Sequence, residues 1–363
     1  MTTALPIDRP WYRQLLAIAL AMGLVIGLLG LVYLGITGAL TDRIFGDPRI
    51  DTWSGDWWWI PFIAAGGLVA AAVRSTLKIT DQVPGGVAVI ESGIVDHKVA
   101  PSWILLSAIS AIAGASLGPS FALIMLGGGL GSWIASKRWP GDESARLDTT
   151  MAGVSGGFGG AFTSPGLGTL IVSELAPTPK DRYIESVLPQ LFAATVAFAV
   201  FFGVVGTTFL NSFAVPVDDF ASWHLLVGVV LGLVSSVIMI VFVIIVKMIQ
   251  MIATKLTNSY LRGAVGGALV GLIAFALPLT IGAGNDQLTT VIDESASISI
   301  WLLVAVLVGK MLAMAISLAT GFIGGDVLPM LFVGGTAGVV AHLMFPDIPY
   351  AIAVGCMLAA VPG

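Results

Sequence analysis

The sequence has few charged residues and a single cysteine, and both shortages exclude whole classes of protein. Its 363 residues include 16 Lys or Arg and 21 Asp or Glu, which makes 10% charged, against about 25% in ordinary soluble domains. The one cysteine, Cys356, excludes a disulfide framework and any multi-cysteine metal or iron–sulfur cluster. A net charge of -5 leaves no broad basic face for nucleic acid. We therefore expect no cofactor, no metal site and no nucleic-acid partner.

Apolar sequence is what the chain has in excess. Hydrophobic residues make up 57% of the chain, and the mean hydropathy is +0.98. That leaves too little polar surface to cover a water-soluble globule, so much of the chain is expected to face lipid and a soluble enzyme is excluded. A hydrocarbon core of about 30 Å requires ~20 apolar helical residues. The stretches without Asp, Glu, Lys or Arg predict about ten to twelve helical segments; the clearest are 14–41, 57–73, 99–136, 149–173, 186–217, 220–246, 263–285, 295–309, 311–325 and 327–346.

Two of these apolar regions are interrupted by glycine and proline. Stretch 99–136 would form a straight helix of about 57 Å, yet a Gly- and Pro-containing segment, 113–119, lies in its middle. The region 295–325 contains only Lys310 as a charge, which we expect to snorkel or to line a cavity, and it breaks at 321–329. Broken helices at bilayer depth are tolerated only where the backbone is buried in protein or lines a water-filled path. The breaks therefore indicate transport.

The two interruptions resemble each other, which predicts an internal repeat. Each is followed by an apolar run and then by a glycine-rich segment, 127–131 in the first case and 334–338 in the second, and Pro119 and Pro329 are 210 positions apart. Corresponding broken helices in two halves are typical of repeat-built transporters with an ion site near the midplane. We predict a first membrane repeat over 1–215 and a second over 216–363, which is incomplete because a mirrored half would continue some 50 residues further.

Broken helices can bind anions through their backbone. Each helix N-terminus carries roughly half a positive charge, and its free N–H groups can replace the hydration shell of an anion. Proline fits the first helical turn because it lacks an N–H. The sequence thus predicts an anion site where the two breaks converge.

Four segments resemble the signatures of the chloride-channel (CLC) superfamily of anion channels and proton-coupled antiporters. They are Pro84-Gly-Gly-Val-Ala88 followed by Ile90-Glu91, for the family's G-S-G-I-P; Ala115-Ser-Leu-Gly-Pro119, for G-R-E-G-P; Gly325-Asp-Val-Leu-Pro329, for G-x-F-x-P; and the segment from Ala161 to Glu174. The resemblance implies an all-α integral membrane protein with an inverted repeat of tilted and broken transmembrane helices. It also implies a homodimer in the lipid bilayer of a bacterial plasma membrane that transports chloride or another small anion.

The resemblance also supplies candidate site residues. The expected anion-binding set is Gly85, Gly86, Leu117, Gly118, Gly325, Asp326, Val327 and Leu328, and the expected pathway carboxylates are Glu91 and Glu174. No residue is expected to be catalytic.

Several of these positions depart from the family pattern. Leu117 stands where the family has its gating glutamate, and Leu175 stands where antiporters have the inner proton-transfer glutamate. Because leucine carries no proton, we expect a passive channel or uniporter without proton coupling. Gly85 replaces the anion-binding serine, and Val327 replaces a phenylalanine. Asp326 either caps a helix or repels anions and attracts a cation.

Three other functions stay open at this point. Asp326 leaves room for a cation-permeable protein, and the replaced ligands leave room for an inert membrane protein of the same fold. Gly153-Val-Ser155-Gly-Gly157 matches the nucleophile motif G-x-S-x-G, and with His342 as base it suggests an intramembrane serine protease as a remote alternative. The same small residues suit close helix packing, so we expect no enzymatic activity.

Overall fold

The computed structural model describes residues 9–46, 55–79, 85–206, 213, 215 and 221–361. Pro84, the first residue of one predicted motif, lies outside them. Within these ranges the chain forms fourteen α-helices and no β-strand, which confirms the all-α prediction. The helices are α1 (Pro10–Phe45), α2 (Trp59–Thr76), α3 (Gly86–Ser92), α4 (Ala100–Ile112), α5 (Ser120–Arg138), α6 (Glu143–Ala161), α7 (Pro165–Leu175), α8 (Tyr183–Val205), α9 (His224–Ala253), α10 (Ser259–Ala276), α11 (Asn285–Asp293), α12 (Ile300–Thr320), α13 (Val327–Met344) and α14 (Tyr350–Ala360). Short 3-10 turns occur at Lys180–Arg182 and Pro278–Thr280.

Long apolar helices dominate the fold. In the described ranges, seven helical segments are long and apolar enough to cross a membrane. Helix α9 shows the pattern most clearly, because Leu226 and Leu233 are 69% and 64% exposed on its surface. Lipid, rather than water, is the solvent that such a surface suits.

The two predicted interruptions are present. Stretch 99–136 divides into α4 and α5, and the region around Lys310 forms the single helix α12 up to Thr320, followed by a break and α13. A third interruption was missed, because the apolar stretch 149–173 divides into α6 and α7. Its cause is local: Pro165 occupies the first turn of α7, and the Ser164 side chain accepts a hydrogen bond from Leu167 N–H at 3.4 Å as the N-cap.

The order of helices supports a repeated plan. The series α1 to α6 contains two long helices, a short one, a helix pair separated by a break, and a closing helix, and α9 to α14 follow the same order. The predicted boundaries of the two repeats, 1–215 and 216–363, stay predictions.

Contacts between residues divide the chain into two compact units that do not follow the halves of the sequence. The first unit contains 9–37, 85–108 and 120–206; the second contains 38–46, 55–79, 109–119, 213, 215 and 221–361. Helix α2 and the first break therefore belong to the second unit, together with α9 to α14. Each unit is described by itself below.

Glycine allows close helix contacts inside each unit. In the first unit α5 and α6 approach so closely that a Cβ at Gly127 would collide with the carbonyl oxygen of Gly153, and the reverse substitution would collide in the same way. In the second unit Gly67 of α2 and Gly263 of α10 form an equivalent contact. Without a hydrophobic driving force in lipid, such close backbone packing stabilises helix association.

Candidate functional site

The two breaks meet each other within the second unit. Gly118 N–H donates a hydrogen bond of 2.7 Å to the Gly325 carbonyl oxygen, and Gly325 N–H donates one of 2.7 Å to the Gly118 carbonyl oxygen. The two glycines are 207 positions apart in the chain. The segments that the sequence predicted to converge are therefore brought together, and they do so as extended backbone between helices.

Local chemistry explains why the helices stop at these points. Gly114 and Gly321 have φ of +83° and +111°, in the left-handed region that glycine adopts without steric cost. Pro119 directly precedes α5, and Pro329 is the third residue of α13. Because the first-turn N–H groups of a helix have no intrahelical acceptor, proline costs little at these positions.

Two serines hold the breaks together by a reciprocal exchange. Ser110 of α4 accepts a hydrogen bond from Ile323 N–H at 2.9 Å, and Ser317 of α12 accepts one from Ser116 N–H at 3.3 Å. Each serine lies in the helix before one break and binds a backbone amide of the other. Both are fully buried, so these bonds satisfy amides that water does not reach.

The paired residues reveal the true spacing of the repeat. Three pairs of residues are each 207 positions apart, three fewer than the spacing between the two prolines. The pairs are Ser110 with Ser317, Ser116 with Ile323, and Gly118 with Gly325. The counterpart of Pro119 in this register is therefore Asp326, rather than Pro329. Equal spacing of serines inside the two apolar helices that precede the breaks was the sequence signal that would have found Ser110 and Ser317.

Leu117 lies directly at the pairing of the breaks. Its side chain is 3% exposed, and it contacts Gly324, where an added Cβ would lie 2.5 Å from the Leu117 Cβ. Its N–H donates to the Ala115 carbonyl oxygen at 2.7 Å. An apolar side chain therefore fills the position that the resemblance assigns to a gating carboxylate.

The hydrogen bonds also define which amides could bind an ion. The N–H groups of Leu117, Gly118 and Gly325 already have acceptors within the breaks. The first-turn N–H groups of α13, which include those of Val327 and Leu328, have no acceptor within their own helix. The start of α13, where the helix dipole is positive, is therefore the part of the second unit that could hold an anion.

Asp326 occupies the N-cap position of α13 without acting as a standard cap. Its backbone is helical, with φ of -98° and ψ of -20°, and its side chain makes no capping bond to the first turn. Its carboxyl group therefore lies at the start of α13, beside the amides of the first turn.

The remaining predicted residues belong to the first unit. Gly85 is the exposed N-cap of α3, and Gly86 is its first residue, where a Cβ would lie 2.8 Å from the Ile124 side chain. Glu91 and Glu174 are both exposed on this unit. Glu174 accepts a hydrogen bond from the Tyr183 hydroxyl at 3.2 Å. Their roles in binding or conduction stay predictions.

The serine protease alternative does not fit the contacts of its nucleophile. Ser155 is fully buried, and its hydroxyl donates to the Gln190 side-chain oxygen at 3.1 Å. An amide oxygen is not a base that could take the serine proton. His342, in the second unit, has Nδ1 2.7 Å from the Ile348 carbonyl oxygen. The G-x-S-x-G match is therefore part of the small-residue packing surface of α6.

Comparisons with known proteins agree with this architecture. A family model described as voltage gated chloride channel matches residues 80–363. A protein of Pseudomonas syringae pv. tomato named chloride/fluoride channel protein is 29% identical over 280 residues, which cover 74% of this chain and 59% of that relative. This chain thus spans less than two thirds of the relative's length.

Solved structures share the fold. The crystal structure of a slow cyanobacterial Cl-/H+ antiporter superposes with a TM-score of 0.81 at 20% identity, covering 96% of this chain and 85% of that one. The crystal structure of a CLC-type fluoride/proton antiporter gives a TM-score of 0.78 at 19% identity, covering 97% and 86%. At these identities the likeness establishes the fold alone.

Proposed function

Because this chain belongs to the voltage gated chloride channel family, we propose that it carries small anions, chloride foremost, across a membrane at the paired breaks of its second unit. Family membership confirms the resemblance deduced from the motifs and the prediction of a multi-pass membrane protein that is not an enzyme. The observation that carries the proposal is the mutual hydrogen bonding of Gly118 and Gly325. It places the start of α13 next to a stretch of non-helical backbone that the two breaks share within the second unit.

The transport is proposed to be passive. Two solved relatives are described as antiporters that exchange Cl- or F- for H+, whereas the Pseudomonas relative is named a channel. Leu117 supports the passive alternative here, because a buried leucine at the pairing of the breaks neither competes with an anion nor carries a proton. Its side chain would form a hydrophobic gate or an ungated mouth.

Cation permeation is the second candidate function, and Asp326 is the observation that favours it. Its carboxylate lies at the start of α13, where it would repel an anion and attract a cation. The homodimer and the bacterial plasma membrane, which the resemblance implies, are part of the main proposal. Crosslinking of the purified protein in lipid nanodiscs measures the oligomeric state.

Reconstitution into liposomes tests the proposed function. Chloride efflux driven by a gradient, with potassium and valinomycin as the charge pathway, is measured together with the internal pH. A passive anion channel gives chloride flux without proton movement. Stoichiometric proton movement would overturn the passive mechanism. Potassium flux in liposomes without valinomycin, and without chloride flux, would favour cation permeation, and absence of all flux would contradict transport.

Introducing a carboxylate at the gate is expected to make transport depend on pH. Leu117→Glu places an ionisable group at the pairing of the breaks, and its charged form competes with the anion for positive helix ends. Chloride efflux should fall about tenfold at pH 7.5 and recover partly at pH 4.5, where a carboxyl of ordinary pKa gains its proton. Leu117→Gln is the matched control, and it should show no pH dependence. An unchanged rate and pH profile in Leu117→Glu would show that Leu117 does not line the pathway.

Neutralising the carboxylate of α13 is expected to increase anion conductance. Asp326→Asn removes one negative charge beside the Val327 and Leu328 amides, and chloride efflux should rise about threefold or more. A parallel measurement of potassium permeability separates the two candidate functions, because a cation pathway would lose conductance instead. An unaltered rate of chloride efflux would show that Asp326 has only a structural role.

A further inference from the structure

Lys310 is a buried cation whose hydrogen bonds are satisfied but whose charge is not neutralised by a neighbouring carboxylate. It lies in the middle of α12 and is 0% exposed. Its ammonium donates to the carbonyl oxygens of Thr280 at 3.1 Å, Ile281 at 3.4 Å and Gly282 at 2.7 Å. An ammonium has three hydrogens to donate. No salt bridge to Lys310 is found among the residues that the structure describes.

The loop 278–284 surrounds the ammonium group of Lys310. Residues 278–284 bend at Gly284, whose φ is +99°. A Cβ at Gly284 would lie 3.2 Å from the Lys310 Nζ and 3.0 Å from the Phe332 Cβ, so a larger residue would crowd both. The close approach of this loop therefore depends on glycine, and it turns three carbonyl oxygens toward the lysine.

Lys310 is connected to the first break through a shared acceptor and to α13 through an aromatic ring. The Thr280 oxygen that accepts from Lys310 also accepts a hydrogen bond of 3.2 Å from the Ser116 hydroxyl, two residues before Gly118. On its other side, the Nζ lies 5.2 Å from the ring centroid of Phe332 in α13. The cation thus shares one oxygen with the first break and contacts the helix that begins after the second.

A charged group in this position needs a compensating negative charge. Ionisable side chains inside membrane segments are costly, and they mark ion pathways more often than they serve stability. Within the described part of the second unit, Asp326 is the carboxylate at the same pair of breaks, and no ion pair joins it to Lys310. A positive charge on Lys310 is therefore left to act on an ion that reaches the paired breaks.

We propose that Lys310 determines the preference for anions over cations at the paired breaks by offsetting the carboxylate of Asp326. This inference rests on the proposed function, because it assigns the selectivity of the same site. A positive charge on Lys310 would lower the energy of an anion there. Its ammonium also holds the carbonyl oxygens of Thr280, Ile281 and Gly282.

The test compares ion selectivity among charge variants in planar bilayers. Reversal potentials in a KCl gradient give the ratio of chloride to potassium permeability. Lys310→Met is expected to lower this ratio about tenfold or more, while Lys310→Arg keeps it within about twofold because the charge remains. The double variant Lys310→Met with Asp326→Asn should recover the ratio. A lysine with only a structural role would change the amount of protein or the total flux without changing the ratio, and the second substitution would not restore it.

A variant that retains hydrogen bonding covers the case in which Lys310→Met does not fold. Lys310→Gln can still donate to two carbonyl oxygens but carries no charge, so it should show the same loss of selectivity. A ratio equal to that of the wild type in a folded, conducting Lys310→Gln protein would overturn the inference.

A binding measurement separates this inference from the transport proposal. The melting temperature of the detergent-solubilised protein is measured in chloride and in gluconate at equal ionic strength, and chloride is expected to stabilise the wild type but not Lys310→Gln. If chloride stabilises a wild type that shows no flux, and this stabilisation is lost in Lys310→Gln, the result would support the Lys310 site while contradicting transport. Flux with an unaltered permeability ratio in the variant would contradict Lys310 alone, and a wild type with neither flux nor chloride stabilisation would contradict both.

Discussion

Gly324→Ala is expected to reduce ion flux about 30-fold or more while the protein still assembles in the membrane. The added Cβ would lie 2.5 Å from the Leu117 Cβ and 3.1 Å from the Gly118 carbonyl oxygen. Because side chains do not approach this closely, the segment carrying Leu117 must move, and the two bonds of 2.7 Å between Gly118 and Gly325 are lost. Two buried hydrogen bonds at about 1 kcal/mol each correspond to this factor. Chloride efflux from liposomes measures it.

Exchanging the sizes of the two residues should restore transport. Leu117→Gly removes the Cβ that clashes, so the double variant with Gly324→Ala should regain most of the wild-type rate. Gly355→Ala is the matched control, because it adds the same methyl group in the same unit at a position with nothing within 4 Å. Wild-type flux in the single variant Gly324→Ala would mean that the pairing of the breaks is not part of the pathway.

Gly127→Ala is expected to destabilise the first unit strongly. Its Cβ would collide with the carbonyl oxygen of Gly153, so α5 and α6 must separate along their contact. Overpacking of a tight contact costs typically 1–3 kcal/mol, and the collision with rigid backbone places this change at about 3 kcal/mol. The melting temperature and the monodisperse fraction after detergent extraction should both fall.

Two further variants make this prediction specific. Gly153→Ala should have a similar effect, because its Cβ would meet the Gly127 carbonyl oxygen. Gly35→Ala, on α1 of the same unit, adds a methyl group into open space and should melt as the wild type does. Equal melting temperatures for all three variants would show that α5 and α6 can separate without cost.

The features that the sequence predicted well depend on local chemistry. Gly114 and Gly321 end helices because of their own backbone freedom, and Pro119 and Pro329 fit helix starts because of their own missing N–H. An interrupted apolar stretch is therefore visible in the chain itself. The missed break between α6 and α7 had the same kind of signal in Ser164 and Pro165, but it lay within an apolar stretch of ordinary length for one crossing.

The features that the sequence did not predict depend on partners far along the chain. The acceptors of Lys310 lie about 30 positions away, and their carbonyl groups are common to every residue type. The hydrogen bonds of Ser110 and Ser317 each span more than 200 positions. Aligning the repeats by Pro119 and Pro329 also misplaced the register, because proline tolerates several positions of a first helical turn.

The pairing of Gly118 with Gly325 has a consequence for how the protein is made. The backbone groups of Gly118 obtain their partners only after 207 further residues have been added, which takes about 10 to 40 s at ordinary ribosomal rates. During that interval the amide and carbonyl groups of the first break lack their hydrogen-bond partners in or beside the nascent membrane segment. Lipid cannot supply such partners. Insertion machinery or trapped water must bind these backbone groups until the second break is made. Slower translation after residue 119 prolongs this exposed state and should therefore increase degradation of the chain.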